Sequence, residues 1–371
     1  MDFKFLVPVE IHFGKDKIEQ LNELIKGEKV LMVSDPTLKK IGIVDKIKDV
    51  LDDHFEIYDF CEVEPNPSCE TVDRGAAIAR EKDVDAIIGI GGGSSLDSAK
   101  AIACLKTSGG RLIEFLNNKK QFAERRPLLI SIPTTSGTGS EVTNVGVYTD
   151  KKNGRKKPLV TDHYWSDYAI IDPALTLTLP PRPTATTGLD AFTHAIEAYW
   201  ADTTQPMSQL LSLEAMKLIV GNLERAILKQ NDEEARENLM LASLMAGISF
   251  AQTRTTVLHA LSFPLTNRYG LEHGFACAIA MPEVIRANYE NSSDEMDRLL
   301  NYLSFEDVDS FADYMHEMMG NIDAPTKLSE IGIKEKDLDE IAEITLSAPI
   351  AELNPKKFNK EELKSLLKKI L

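Results

Sequence analysis

The feature that most restricts the fold is the run Ala86-Ile87-Ile88-Gly89-Ile90, followed at once by Gly91-Gly92-Gly93-Ser94 and then by a helical stretch from Ser95 to Cys104. A short, wholly apolar run is a strand buried on both faces, and such strands belong to parallel sheets covered by helices. The surroundings repeat the alternation. Val30 to Ser34 and Phe55 to Tyr58 read as strands, as do Leu128 to Ile132 and Ala169 to Ile171, with helical stretches at Lys46 to Leu51 and Thr71 to Glu81. The start of the chain, through His12-Phe13-Gly14, also reads as a strand. Strand and helix in alternation predict a parallel α/β domain.

After Pro180-Pro181-Arg182-Pro183 the pattern changes to helical periodicity, with segments at Ala191 to Trp200, Met207 to Val220 and Glu233 to Phe250. The expected division is an α/β domain over 1–182 and an all-helical domain over 183–371, with the prolines as a hinge. A helix ending near Pro264 and a turn back through Gly270 are expected between His259 and His273.

A formal charge of −16 disfavours nucleic acid as a partner, because phosphate binding needs a basic surface. No apolar run approaches the roughly 20 residues of a membrane-spanning helix, and the start lacks a signal peptide's apolar core, so a cytoplasmic protein is expected. Cys61, Cys69, Cys104 and Cys277 form no CxxC pair and read as reduced structural thiols.

The glycine turn after a buried strand is where backbone N–H groups and a helix dipole can hold a pyrophosphate. It matches neither GxGxxG nor the Walker pattern, so a plain tight turn is the alternative. A second turn after a strand, Pro133-Thr134-Thr135-Ser136-Gly137-Thr138-Gly139-Ser140, offers further hydroxyl and N–H donors at the sheet edge that binds ligands in such folds. Asp35 follows the strand ending at Ser34 and can accept ribose hydroxyls while repelling a 2′-phosphate, which favours NAD over NADP. It can equally cap the helix opening at Pro36.

Asp190 and His194 stand four residues apart, on one face of a helix, where both can bind one cation. With His259 and His273 they would make one carboxylate and three imidazoles, a set suited to Fe²⁺ or Zn²⁺. Any one of these histidines taken alone reads as a buried structural residue rather than a ligand.

Over nearly its whole length the chain resembles the iron-containing (group III) alcohol dehydrogenases. The resemblance rests on GGGSSLDSAK (Gly91 to Lys100), PTTSGTGSEVT (Pro133 to Thr143), IIDPALT (Ile170 to Thr176), TGLDAFTHAIEAY (Thr187 to Tyr199) and the segment from His259 through HGFACAIAMPEV. It implies a Rossmann-like N-terminal domain and a helical C-terminal domain, as in dehydroquinate synthase, with a metal in the cleft between them. By matching positions the ligands would be Asp190, His194, His259 and His273, and Gly92, Gly93, Ser94, Thr134, Thr135 and Asp35 would contact NAD. Asp97, in the first of these segments, joins the candidate cofactor residues. A homodimer is expected from the same resemblance.

One departure is informative. Many members carry a histidine four residues after the third ligand, credited with proton relay, and here that position is Phe263, which would instead narrow the substrate pocket. The surrounding residues look like the branch that reduces phosphonoacetaldehyde to 2-hydroxyethylphosphonate. Arg254 is the candidate anion anchor, with Arg155, Lys156 and Lys157 as a second source of positive charge and pairing with Glu141 or Glu272 as the alternative for Arg254. The rival activities are a sulfoacetaldehyde reductase, a general short-chain alcohol dehydrogenase, a dehydroquinate synthase-like lyase and a dinucleotide sensor without turnover.

Overall fold

The computed structural model describes residues 2–371, and the Arg155 side chain lies outside what is described. The chain divides into two compact units. One runs from Val7 to Thr135 and from Gly139 to Thr176; the other holds Leu177–Leu371, the N-terminal residues up to Leu6, and Ser136–Thr138.

The first unit is built on strands β1 (Glu10–Phe13), β2 (Lys29–Val33), β3 (Glu56–Phe60), β4 (Ala86–Gly91) and β5 (Leu128–Pro133), with a hairpin β6 (Val145–Asp150) and β7 (Arg155–Val160), and β8 (Tyr168–Ile171). All but the hairpin form one parallel sheet in the order β1-β8-β5-β4-β2-β3. Along β2 the side chains alternate between two cores, Leu31 and Val33 in one, Val30 and Met32 in the other. That double burial is why these strands read as unbroken apolar runs. Helices α1 (Pro36–Lys40), α2 (Cys69–Glu81) and α3 (Gly93–Ser108) belong to this unit. The expected helix at Lys46 to Leu51 lies earlier, at Ile43–Lys48, after Gly42 in a left-handed conformation.

The antiparallel β6–β7 hairpin was not among the strands expected from sequence. Its Val147 and Val160 are exposed, so it lacks the apolar continuity that marks the sheet strands.

The second unit is helical: α4 (Pro181–Trp200), α5 (Pro206–Leu228), α6 (Glu233–Thr253), α7 (Val257–Tyr269), α8 (His273–Ala278), and further helices to the C-terminus. One apolar core, from Ala185 to Ile370, joins them. Pro181 sits in the first turn of α4, where its missing N–H has no helical partner to lose. Pro264 does not end its helix as expected. It lies inside α7, which stops at Gly270 in the left-handed conformation, its N–H bonded back to Leu265 and Thr266. A proline removes one hydrogen bond, and the buried packing of α7 outweighs that loss. Among the described residues no helix is long and apolar enough to cross a membrane.

Candidate metal centre and nucleotide edge

Asp190 and His194 lie one turn apart on α4, and both are buried. His259 is the third residue of α7, and His273 opens α8. Their donor atoms converge: Asp190 Oδ1 lies 3.8 Å from His194 Nδ1, 3.6 Å from His259 Nε2 and 3.7 Å from His273 Nε2. The approach of α8 to α4 depends on Gly274, because a Cβ there would stand 1.7 Å from the Thr186 carbonyl oxygen. The His194 ring stacks on Phe250 of α6, with centroids 4.2 Å apart, which holds the imidazole in place.

Asp190 Oδ1, His194 Nδ1 and His259 Nε2 are buried without any hydrogen-bond partner. Buried polar atoms are nearly always satisfied, so three unpartnered donors around Asp190 fit a cation as their shared partner. Their chemistry, a carboxylate oxygen and imidazole nitrogens, suits a divalent transition metal. Burial works against ionisation of Asp190, but the neighbouring His194, His273 and His259 hold its carboxyl well below the usual range. Burial lowers His194 to about 4, which keeps that imidazole neutral and its lone pair free for a metal.

Two residues of this centre are not placed there by the sequence: Glu197, and Cys277, which reads as a structural thiol. Cys277, one turn after His273 on α8, brings its Sγ into the group, and the donor atoms of Asp190, His259, His273 and Cys277 all lie within 4.8 Å of one another. Glu197, wholly buried on α4, accepts His259 Nδ1 at 2.5 Å, the Leu258 N–H at 2.6 Å and the Thr256 hydroxyl at 2.7 Å. The His259–Glu197 bond orients the ring with Nε2 toward Asp190. Both residues carried a readable signal. An HxxxC spacing puts two donors on one helix face, and a glutamate within an apolar helix must find buried partners.

In the other unit, β4 is flanked by β5 and β2, with Gly91 opposite Pro133 and Gly89 opposite Val33. The glycine turn, the Thr134–Thr135 turn and Asp35 therefore leave three neighbouring strands at the same sheet edge. Gly91 has φ 144°, and a Cβ on it would meet Ser95 at 2.7 Å, so the turn into α3 requires glycine. Gly92 and Gly93 open α3 as its cap and first residue. The Ser94 hydroxyl oxygen accepts the Asn66 N–H, leaving its proton to donate. The Thr134 N–H bonds the Gly91 carbonyl and ties the two turns together.

Asp35 caps α1, with Oδ1 accepting the Thr37 and Leu38 N–H groups. Asp97 is occupied by the chain: Oδ1 accepts the Ser140 hydroxyl and Oδ2 the Val147 N–H. Beside it the buried Lys100 ammonium donates to Ser140, Thr143 and the Val145 carbonyl, which braces the threonine turn from behind. Lys157, on the hairpin, donates to Asn117. Phe263 is half-buried one turn beyond His259 on α7. Glu272 pairs with Arg182 at 2.6 Å.

Two family models match the chain, the iron-containing alcohol dehydrogenase model over residues 8–173 and the C-terminal model of the Fe-containing alcohol dehydrogenase family over 184–371. The chain belongs to the iron-containing alcohol dehydrogenase family. It is 34% identical to an NADPH-dependent butanol dehydrogenase of Clostridium saccharobutylicum, with 98% of this chain and 96% of that one aligned. It is 33% identical to a sulfoacetaldehyde reductase of Bilophila wadsworthia, with 94% of each chain aligned. The crystal structure of a sulfoacetaldehyde reductase from Bifidobacterium kashiwanohense in complex with NAD+ superposes with a TM-score of 0.96 at 31% identity, covering 100% of this chain and 99% of that one. The α/β sheet unit and helical unit are the fold of this dehydrogenase family.

One stability consequence arises here. Glu141, in the turn braced by Lys100, is buried, and burial pushes its carboxyl up to about 7 despite a backbone hydrogen bond and the Lys100 charge. Its folded pKa exceeds the unfolded value of 4.5, so its contribution is intact below about 4.5 and lost as pH rises through about 7. Glu141→Gln is expected to stabilise the protein by about 1–3 kcal/mol at pH 8 and hardly at all at pH 5. Urea unfolding at both pH values checks this, and a pH-independent difference would contradict it.

Proposed function

We propose that the protein reduces a short anionic aldehyde to its alcohol with NADH, phosphonoacetaldehyde to 2-hydroxyethylphosphonate being the first substrate to test. The observation that carries the anionic preference is the backbone of Arg254. This residue ends α6 at φ 72° and ψ 177°, a conformation almost reserved for glycine, on the short connection to the helix bearing His259. An arginine in such a conformation, half-buried and desolvated, costs stability at this position. A forked guanidinium fits a phosphonate or sulfonate oxygen pair.

The metal supplies Lewis acidity to the carbonyl oxygen and the dihydronicotinamide supplies the hydride. The chain's own residues do the rest. Asp190, His194, His259 and His273 would hold the metal, within a metal-binding region assigned to 183–371. Gly92, Gly93, Ser94, Thr134 and Thr135 would donate to the dinucleotide, within a region assigned to 1–182. The charge of Asp35, at the same sheet edge, favours NAD over the 2′-phosphorylated cofactor. Phe263 cannot carry a proton, so the proton for the product hydroxyl comes from water or a hydroxyl group.

A second reading, sulfoacetaldehyde reduction, is supported by the two sulfoacetaldehyde reductases among the similar proteins. The test compares NADH oxidation by iron-loaded wild type and Arg254→Ala with phosphonoacetaldehyde, sulfoacetaldehyde and butyraldehyde. A lost charged hydrogen bond should lower kcat/KM for the preferred anionic aldehyde about 10- to 100-fold, and that for butyraldehyde less than about threefold. Arg254→Gly should lose the same preference yet raise the unfolding free energy by about 1 kcal/mol, because glycine relieves the backbone strain. Equal losses on all three aldehydes would make Arg254 structural and the protein a general short-chain alcohol dehydrogenase.

A further inference from the structure

Cys277 occupies a place in the metal centre that the assigned ligands leave unexplained. Its Sγ lies 3.8 Å from His273 Nε2, and Asp190 Oδ1 lies 3.6 Å from His259 Nε2 and 3.7 Å from His273 Nε2. A tetrahedral zinc with bonds of about 2.0–2.3 Å separates its ligand atoms by roughly 3.3–3.6 Å; the three separations above lie within a few tenths of an ångström of that range, and every pair among the four donors lies within 4.8 Å. Independently of the thiol, Asp190 Oδ1 and His259 Nε2 are buried, unpartnered and directed at the same space. His194 stands outside this mutually close set, although its Nδ1 is 3.8 Å from Asp190 Oδ1.

We propose that Cys277 is a metal donor: with Asp190, His259 and His273 it completes a thiolate-containing set that selects zinc, distinct from the nitrogen and oxygen set that ends in His194. The proposal rests on reading this centre as a metal site. A soft thiolate favours zinc over iron, whereas imidazole and carboxylate accept both. The thiol proton leaves to solvent as the zinc–sulfur bond forms, and no electron is transferred. Zinc favours four ligands, so these four would close its tetrahedron and leave no open position for a substrate oxygen, whereas ferrous iron accepts ligands beyond the four of the nitrogen and oxygen set. Zinc held in this way is an idle form of the enzyme, so Cys277 makes the centre sensitive to inhibition by zinc.

The test is zinc K-edge X-ray absorption on the full-length protein loaded with zinc alone, for wild type, Cys277→Ser and Cys277→Ala. Wild type should show a sulfur scatterer at about 2.3 Å beside nitrogen and oxygen at about 2.0–2.2 Å, and both variants should lose the sulfur. Competition between zinc and iron should shift toward iron by about tenfold or more in both variants. The alanine variant guards against the serine hydroxyl entering the shell or upsetting the fold. A wild-type shell of nitrogen and oxygen alone, or an unchanged zinc-to-iron preference in both variants, overturns the role of Cys277. A wild-type protein that takes up neither metal overturns the centre itself, and this proposal with it.

Discussion

Asp190→Ala is expected to lower kcat/KM for the aldehyde by about 10³–10⁴-fold, the equivalent of about 4–5 kcal/mol of transition-state stabilisation. The size follows from where the carboxylate stands. Asp190 Oδ1 faces all three imidazoles at 3.6–3.8 Å and is the anionic member of the proposed nitrogen and oxygen ligand set. Without it, three imidazoles converge on a dication with no compensating charge. Metal occupancy, measured by elemental analysis after dialysis, should fall with activity. NAD affinity should stay within about threefold, because the residues proposed to hold the dinucleotide belong to a separate sheet edge. Full metal content with wild-type turnover would remove Asp190 from the centre.

The second large effect is expected at Glu197, and it separates stability from metal binding. Glu197→Ala removes the acceptor for the Leu258 N–H, the Thr256 hydroxyl and the His259 ring at once. Stranding buried donors in this way should cost about 3–5 kcal/mol of folding free energy. Glu197→Gln is the more telling variant. Its carbonyl oxygen can still accept from Leu258 and Thr256, so stability should fall far less. Its amide N–H would then face His259 Nδ1 and make that nitrogen an acceptor. The ring proton would move to Nε2, the atom directed at Asp190 and the metal position. Metal affinity should drop about 10- to 100-fold while the Tm stays near wild type. A Gln variant with unchanged metal affinity would show that Glu197 serves packing alone.

Most of the sheet was readable because burial on both faces leaves a mark on every residue of a strand. Ala86 to Ile90 has no polar position to mislead. The β6–β7 hairpin has one exposed side and a lysine-rich partner strand, so hydrophobicity alone hides it. In the metal centre, Asp190 and His194 were legible as a pair because i,i+4 spacing is local. The convergence of His259 and His273 on them is tertiary, and spacing could only allow it. Glu197 and Cys277 lay within quoted motifs, yet their roles depend on which neighbours a third helix supplies. Asp35 left two readings open. The structure shows the cap, with Pro36 at the first helical position and the Thr37 and Leu38 N–H groups bonded to the Asp35 carboxylate.

This centre is expected to need a metal to reduce an aldehyde with net consumption of NADH. The most direct measurement is NADH oxidation with phosphonoacetaldehyde by one preparation in three states: stripped by a chelator, stripped and reloaded with iron, and untreated. The expected result is negligible turnover in the stripped protein, recovery with iron, and one NADH consumed for each alcohol formed. Full turnover in protein shown to be free of metal would contradict it. So would iron-dependent product formation without net NADH oxidation, which would point to a lyase that regenerates its cofactor.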